Sequence, residues 1–295
     1  MSDVTLSAYP LFRRGKVRDV YDLGDELLLV ATDRLSAFDV VLPTTIDGKG
    51  QILTQLSLWW FDQLGGLVTN HLADQSLADL TLSDEERAYL DGRTMRAKKA
   101  ERIDVECVVR GYLAGSGWKE YQASGTLASE PLPEGLLLGS PLPSPIFTPA
   151  IKNDSGHDEN ISRAQLKDVI GAELATTLEE LSLAIFRVAS ERAAQAGFIL
   201  ADTKFEFGYI DGALALIDEV LTPDSSRYWD ASALVPGNEP PSFDKQIVRD
   251  WLETTDWNKQ APGPEIPAEI VAKAVDRYRA VLDRLTTQTV TGDVA

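Results

Sequence analysis

Asp202, Lys204 and Glu206 lie within five positions of one apolar stretch, Leu200-Ala201-Asp202-Thr203-Lys204-Phe205-Glu206-Phe207-Gly208. A second acidic pair, Asp218-Glu219, follows, and then Thr222-Pro223-Asp224-Ser225-Ser226-Arg227. Carboxylates are rarely buried unless they are paired or bind a metal. Two acidic clusters beside a lysine and an arginine therefore suit a metal and an anionic substrate better than a core. The patterning predicts strands over 198–207 and 213–220, turning around Ile210-Asp211-Gly212. Side chains alternate along a strand, so Lys204 and Glu206 share a face. A two-residue turn would pair Glu206 with Ile217 and bring Glu219 to that face; an odd loop would bring Asp218 instead. Either way, two carboxylates from adjacent strands can bracket one hard cation.

Other segments carry anion-binding chemistry. Lys16 and Arg18 follow Gly15 at the start of a predicted hairpin, where backbone amides and cations could lie over phosphates. The hairpin pairs 16–21 with 27–31 across Asp22-Leu23-Gly24-Asp25-Glu26. The Walker pattern G-x-x-x-x-G-K-[ST] is absent. Arg110-Gly111-Tyr112-Leu113-Ala114-Gly115-Ser116-Gly117 ends a predicted strand over 103–109, with glycines that permit close approach to an anion and a guanidinium that can hold it bidentately. Ala31-Thr32-Asp33-Arg34-Leu35-Ser36-Ala37-Phe38-Asp39 follows a strand and is dense in short polar side chains. Lys152-Asn153-Asp154-Ser155-Gly156-His157-Asp158-Glu159-Asn160 is a polar loop. His71 and His157 are the only histidines, and neither has a second His or Cys at zinc-ligand spacing.

These segments need positioning elements. Helical spacing is predicted over 52–64, over 118–124, and over 177–196, where Leu178, Leu181, Ile185 and Val188 form one stripe and Gly197 follows as a cap. Ser83 with Glu86, and Ser162 with Gln165, form capping boxes. Helices are also expected over 242–253 and 267–285. A solvated loop is expected for most side chains of the basic run 96–102. Residues 123–149, with six prolines and three glycines, are expected to form a long irregular loop or lid.

The 295 residues allow one large domain or two modest ones, and 44% apolar content supports a sizeable core. The net charge of −18 argues against a nucleic-acid partner, so anionic substrates need local basic pockets or Mg²⁺. The single Cys107 forbids an internal disulfide and is expected to be a buried structural thiol. With neither a signal segment nor an apolar run near ~18 residues, a cytoplasmic protein without membrane spans is expected.

The blocks 15–21, 31–39, 110–119, 156–162, 201–208 and 218–227, extended by Ser242-Phe243-Asp244-Lys245-Gln246, resemble the phosphoribosylaminoimidazole-succinocarboxamide synthase (SAICAR synthetase) family. The resemblance covers nearly the whole chain in order, with one departure, Ile151 before Lys152 where Thr or Ser is expected. It implies an α+β fold, with a β-rich N-terminal nucleotide lobe over 1–103 packed on a larger mixed α/β lobe over 104–295. It implies an ATP-dependent ligase of purine biosynthesis that joins the carboxylate of carboxyaminoimidazole ribonucleotide (CAIR) to L-aspartate through an acyl phosphate. Small-molecule kinases and non-catalytic nucleotide-binding modules are the rival classes. Lys16 and Arg18 would hold ATP phosphates, and Glu106 to Val108 would flank adenine with backbone groups. Glu206 and Asp218 would bind Mg²⁺, which favours the odd loop. Arg110, Ser116 and Arg227 would hold the CAIR phosphate, while Asp202 and Lys204 would act as catalytic contacts to the nucleotide and its carboxylate. Ser36, Asp39, His157 and Asn160 are the aspartate-site candidates. The length fits longer members of the family, which are able to act as monomers.

Overall fold

A computed structural model describes residues 4–152, 159–235 and 237–287. In chain order its elements begin with β1 (Leu11–Arg14), β2 (Arg18–Asp22), β3 (Glu26–Ala31), the short pair β4 (Ser36–Ala37) and β5 (Val40–Val41), α1 (Lys49–Leu64) and α2 (Asp84–Leu90). Next come β6 (Thr94–Lys98), β7 (Glu101–Arg102), β8 (Val105–Tyr112), α3 (Gly115–Ser124), the pair β9 (Thr126–Leu127) and β10 (Glu130–Pro131), and β11 (Pro141–Ile151). The chain continues with β12 (Glu159–Asn160), α4 (Arg163–Ile170), α5 (Ala172–Gln195), β13 (Phe198–Ile210), β14 (Ala213–Ile217), β15 (Ser226–Asp230), α6 (Gln246–Glu253) and α7 (Ala268–Thr286).

Two antiparallel sheets dominate the α+β architecture. The first runs β1-β2-β3-β6; the second runs β12-β11-β8-β13-β14, with β15 and β7 also paired to β13. Strand β13 is the hub, because its length lets different stretches serve β8, β14, β15 and β7. The apolar stripe of α5 buries Leu178, Ile185, Phe186 and Ala189 in the same core as Phe205 and Phe207 of β13. Leu56, Trp60 and Phe61 of α1 enter that core from the N-terminal part of the chain, so one apolar interior joins both sheets. Each such buried large side chain contributes roughly 1.5–3 kcal/mol relative to an exposed one. Helix α1 seats closely because Gly50 has no Cβ; one added there would lie 2.1 Å from the carbonyl oxygen of Ala31. Cys107 is fully buried, and burial pushes its thiol up, as expected of a structural cysteine. No helix among the described residues is long and apolar enough to cross a membrane.

Three segments differ from expectation. The second half of 123–149 is not a loop: β11 carries four prolines and pairs with β8 from Ile146 to Ile151. Its prolines are tolerated because only the two-residue β12 lies on its outer side, so few N–H donors are missed. The basic run is solvated only in part: Lys98 and Lys99 are exposed, as expected of most of its side chains, but residues 94–98 and 101–102 are strands rather than loop. Arg96 sits in β6 and is drawn down by Glu26 and Asp79, at 2.8 and 2.7 Å. The helix expected over 242–253 begins only at Gln246, because Ser242 is held in an isolated bridge to Trp229.

Both capping boxes form. Glu86 does more than cap: its carboxylate accepts from the backbone N–H of Ser83 and of Ser7, each at 2.7 Å, and so ties the N-terminal segment to α2. Those two donors lower its carboxyl from 4.5 to about 2. The folded value lies below the unfolded one, so the contribution is complete above pH 4.5 and is lost as the pH falls toward about 2. Glu86→Gln should cost about 1 kcal/mol in urea unfolding at neutral pH, with the gap to wild type closing in that acid window. A gap that does not depend on pH would contradict the assignment.

Candidate functional site

A cleft of about 990 Å³ opens beside the middle of β13. The turn between β1 and β2 brings Lys16 and Arg18 to its wall, and the β4–β5 hairpin brings Ser36 and Asp39. From β13 come Asp202, Lys204 and Glu206; Asp218, Arg227 and Ser116 complete the wall from the expected set. Arg110 stands just behind, 8% exposed, and reaches the cleft through its bonds to Asp202 and Ser116. Glu106 and Val108 do not line the cleft. Glu106 is paired to Ala150 of β11 along its backbone, and Val108 lies between β11 and β13, so these backbone edges serve the sheet. Glu106 acts in the site through its carboxylate, which accepts from Lys204 Nζ at 2.8 Å. Asn160 is exposed on β12, away from the cleft wall. His157 lies outside the described residues.

The odd loop is corrected by the register. Glu206 pairs with Ile217, and Ile210 with Ala213, leaving Asp211-Gly212 as a two-residue turn. Both turn residues have positive φ, 51° and 79°, which such a turn requires. Asp218 nevertheless reaches the cleft. Regular pairing stops at Ile217, and Asp218 takes a left-handed φ of 67° that re-aims its side chain. Strand parity therefore ceases to govern at the residue where it was to choose between the acids.

Cations hold both acids. Arg18 bonds Asp218 through one guanidinium nitrogen and approaches Glu219 at 3.0 Å through another. Lys152 donates to Glu206 at 2.6 Å, and Glu219 accepts from Thr222 Oγ1 at 2.6 Å. Burial and the neighbouring Asp218 raise the Glu206 carboxyl. Burial also pushes Asp218 up, but Arg18 and Lys152 outweigh it and hold that carboxyl below its ordinary value. Lys204 is raised: burial opposes its charge, and Glu106 and Glu206 more than offset it. His71, behind Asp218, is driven down to about 4 by burial and is neutral at physiological pH.

A second ionic cluster centres on Asp202. Its Oδ2 accepts from Arg227 and, at 3.2 Å, from Arg110, whose Nη2 donates to Ser116 Oγ at 3.0 Å. Arg227 Nε also lies 3.3 Å from Glu239 without an aligned hydrogen bond. Arg110 and Arg227 bring two guanidinium forks together, a geometry suited to an anion.

Mg²⁺ takes few protein carboxylates and keeps waters and substrate phosphates. Among the described residues no three acidic, His or Cys side chains converge as a metal cage. The pair Glu206 and Asp218, close enough to shift one another, fits a metal that arrives with a nucleotide. Lys152, Lys49 and Lys245 were not singled out from sequence as site residues. Lys49 and Lys245 lie in glycine-flanked or polar stretches, Asp47-Gly48-Lys49-Gly50 and Asp244-Lys245-Gln246, so neither carried a local signal.

Comparison with known proteins extends the likeness along the chain. The sequence profile of SAICAR synthetase matches residues 11–264. The phosphoribosylaminoimidazole-succinocarboxamide synthase of Thioalkalivibrio sulfidiphilus is 54% identical over 284 residues, covering 95% of this chain and 96% of its own. The SAICAR synthase of Saccharomyces cerevisiae, solved in complex with SAICAR, aligns with a TM-score of 0.89 at 38% identity, covering 99% of each chain. A type-2 SAICAR synthetase solved with ADP aligns with a TM-score of 0.68 at 26% identity, covering 95% of this chain and 99% of its own.

Gly115 gives the second cluster a direct test. Its φ is 53°, and an added Cβ would lie 2.9 Å from Arg227 Nη2. Gly115→Ala should crowd that guanidinium and lower affinity for ribose 5-phosphate by about tenfold, the scale of a lost hydrogen bond to a charged group. Calorimetric titration checks this; unchanged affinity would show that Arg227 is not held where the cluster needs it.

Proposed function

Because the chain belongs to the SAICAR synthetase family, we propose how its own residues divide that family's reaction. The protein is an ATP-dependent carbon–nitrogen ligase of purine biosynthesis, joining the carboxylate of CAIR to the amine of L-aspartate to give SAICAR, ADP and phosphate. A free carboxylate is a poor acyl donor, since its oxygen leaves badly. In the proposed course the carboxylate is phosphorylated by ATP, and the amine then attacks the acyl phosphate and expels phosphate. The protein's task is positioning, charge neutralisation and exclusion of water.

The observation that carries the assignment is the separation of two ionic clusters along β13. Glu206 and Asp202 stand four residues apart, about 13 Å along the strand at ~3.3 Å per residue, with Lys204 between them. Around Glu206 and Asp218, Lys16 and Arg18 are suited to triphosphate oxygens, and the two carboxylates are suited to Mg²⁺. When bound, that ion would neutralise charge on the transferring phosphoryl group. Around Asp202, Arg110, Ser116 and Arg227 are suited to the 5′-phosphate of CAIR. Lys204, held charged by Glu106, is placed to contact the CAIR carboxylate that lies between. The ADP-bound and SAICAR-bound relatives support one site for each ligand.

Ser36 and Asp39 remain candidates for L-aspartate, with Asp39 able to orient the ammonium or take its proton; Asn160 and His157 are the further candidates for that ligand. The lobes are taken as 1–103 for nucleotide phosphates and 104–295 for metal and CAIR, although β7 already pairs with β13. A monomer is taken as the functional unit, since the chain's length of 295 residues fits the longer members of the family. The need for ATP supports a cytoplasmic setting.

ADP release should require CAIR, L-aspartate and Mg²⁺ together. Robust turnover with CAIR and ATP but no amine, or none with all components, would sink the reading. Glu206→Gln should cut kcat by about 10²-fold or more, as expected for lost transition-state charge stabilisation. Arg227→Ala should raise the KM for CAIR at least tenfold more than that for ATP. Equal losses would contradict its assignment to the CAIR phosphate.

A further inference from the structure

Lys49 opens α1, and its ammonium is fully buried, 3.1 Å from Oδ2 of Asp224. Tyr278 of α7, also fully buried, donates to Oδ1 of the same carboxylate at 2.7 Å. Lys245, just ahead of α6, lies 3.7 Å from Asp224 Oδ2, beyond hydrogen-bond distance, and faces the cleft. Three elements distant in sequence thus meet on one carboxylate in the loop that leads into β15, the strand of Arg227.

A buried lysine–aspartate pair is weak evidence for stability, because desolvation can exceed the mutual attraction. A different role follows from counting charges. One carboxylate faces two ammoniums, and both its oxygens are already engaged, one by Lys49 and one by the Tyr278 hydroxyl. Lys245 is therefore left with positive charge that Asp224 does not fully offset. Its surroundings agree: burial and Lys49 and Arg249 disfavour its charge, while Asp224 and Glu219 favour it, and the balance lies below the ordinary lysine value.

We propose that Lys49 and Tyr278 are positioning residues that occupy Asp224, so that Lys245 keeps a positive charge presented to a carboxylate or phosphate of a substrate in the cleft. This rests on the reading of the cleft as the substrate site. Without Lys49, Asp224 has no nearer cation and draws Lys245 into a direct pair, which removes that charge from the cleft wall.

Steady-state kinetics with each of ATP, CAIR and L-aspartate varied in turn would test this in Lys49→Met, Lys245→Met and the double variant Lys49→Met/Asp224→Asn. Lys49→Met should raise the KM of one anionic substrate about tenfold, with a smaller change in kcat. Lys245→Met should raise the KM of the same substrate, which identifies it. The double variant should recover to within about threefold of wild type, because removing the carboxylate frees Lys245 again. A merely structural role predicts that the double variant is at least as impaired as the single one, and that result would overturn the proposal. If Lys245→Met changes no KM, the substrate reading of this wall fails and the inference falls with it. If Lys245→Met is impaired while Lys49→Met is not, the inference alone falls. Should Lys49→Met not fold, Tyr278→Phe, which deletes only the hydroxyl, should raise the same KM about twofold to threefold, and an unchanged KM there would count against the proposal.

Discussion

Charges taken out of water must find opposite charges, and the cleft is built around that requirement. The cleft acids are held by neighbouring cations: Asp218 and Glu219 by Arg18, Glu206 by Lys152, Asp202 by Arg110 and Arg227, and Asp39 by Lys16. Substrates bring the same two kinds of charge, anionic phosphates and carboxylates on one side and a divalent cation on the other. Binding in the proposed scheme is thus an exchange of partners: cations move from protein acids to phosphates, and the acids they release are suited to a metal. The pairing makes each cleft residue depend on its neighbours, so truncating one member leaves another buried and unpaired.

That charge array needs a rigid ruler, and β13 provides it. Its alternation turns Phe205 and Phe207 into the core while Lys204 and Glu206 face the cleft, and the same pairing that fixes its register to β8 sets Lys204 against Val108. A slip by one residue would bury both charges and expose both rings, so the packing of α5 against β13 is what fixes the chemistry. The connection is physical: apolar burial sets the register, and register sets the charge spacing.

Much of this was legible in the chain. Periodicity located α1, α5 and the β13–β14 hairpin, and local capping chemistry located α2 and α4, because those signals depend on residues close in sequence. Lys204 and Glu206 were placed on one face by parity alone. The misses share a cause in long-range context. Prolines read as a loop over 141–149, yet an almost bare sheet edge tolerates them in β11. Arg96 read as solvated, yet Asp79 and Glu26 come to it from other segments. Lys49 gave no local sign of burial, because its partner lies 175 residues away.

The choice between Asp218 and Glu219 shows where such reading must end. The turn is the even one, which by parity alone would have presented Glu219, but a left-handed residue at the strand's end rotates Asp218 into the cleft as well. The β4–β5 hairpin does something similar. Phe38 and Asp39 occupy its two central positions with φ of 50° and 64°, a turn that favours Asn and Gly. Left-handed backbone costs such residues about 1–2 kcal/mol each. Asp218 and Asp39 both adopt it at the cleft wall, and both are ion-paired there, to Arg18 and Lys16. The strained conformation and the ionic partner thus select the same side-chain direction, and the two are coupled: the ion pair offsets the strain, and the backbone in turn fixes where the carboxylate can meet a cation.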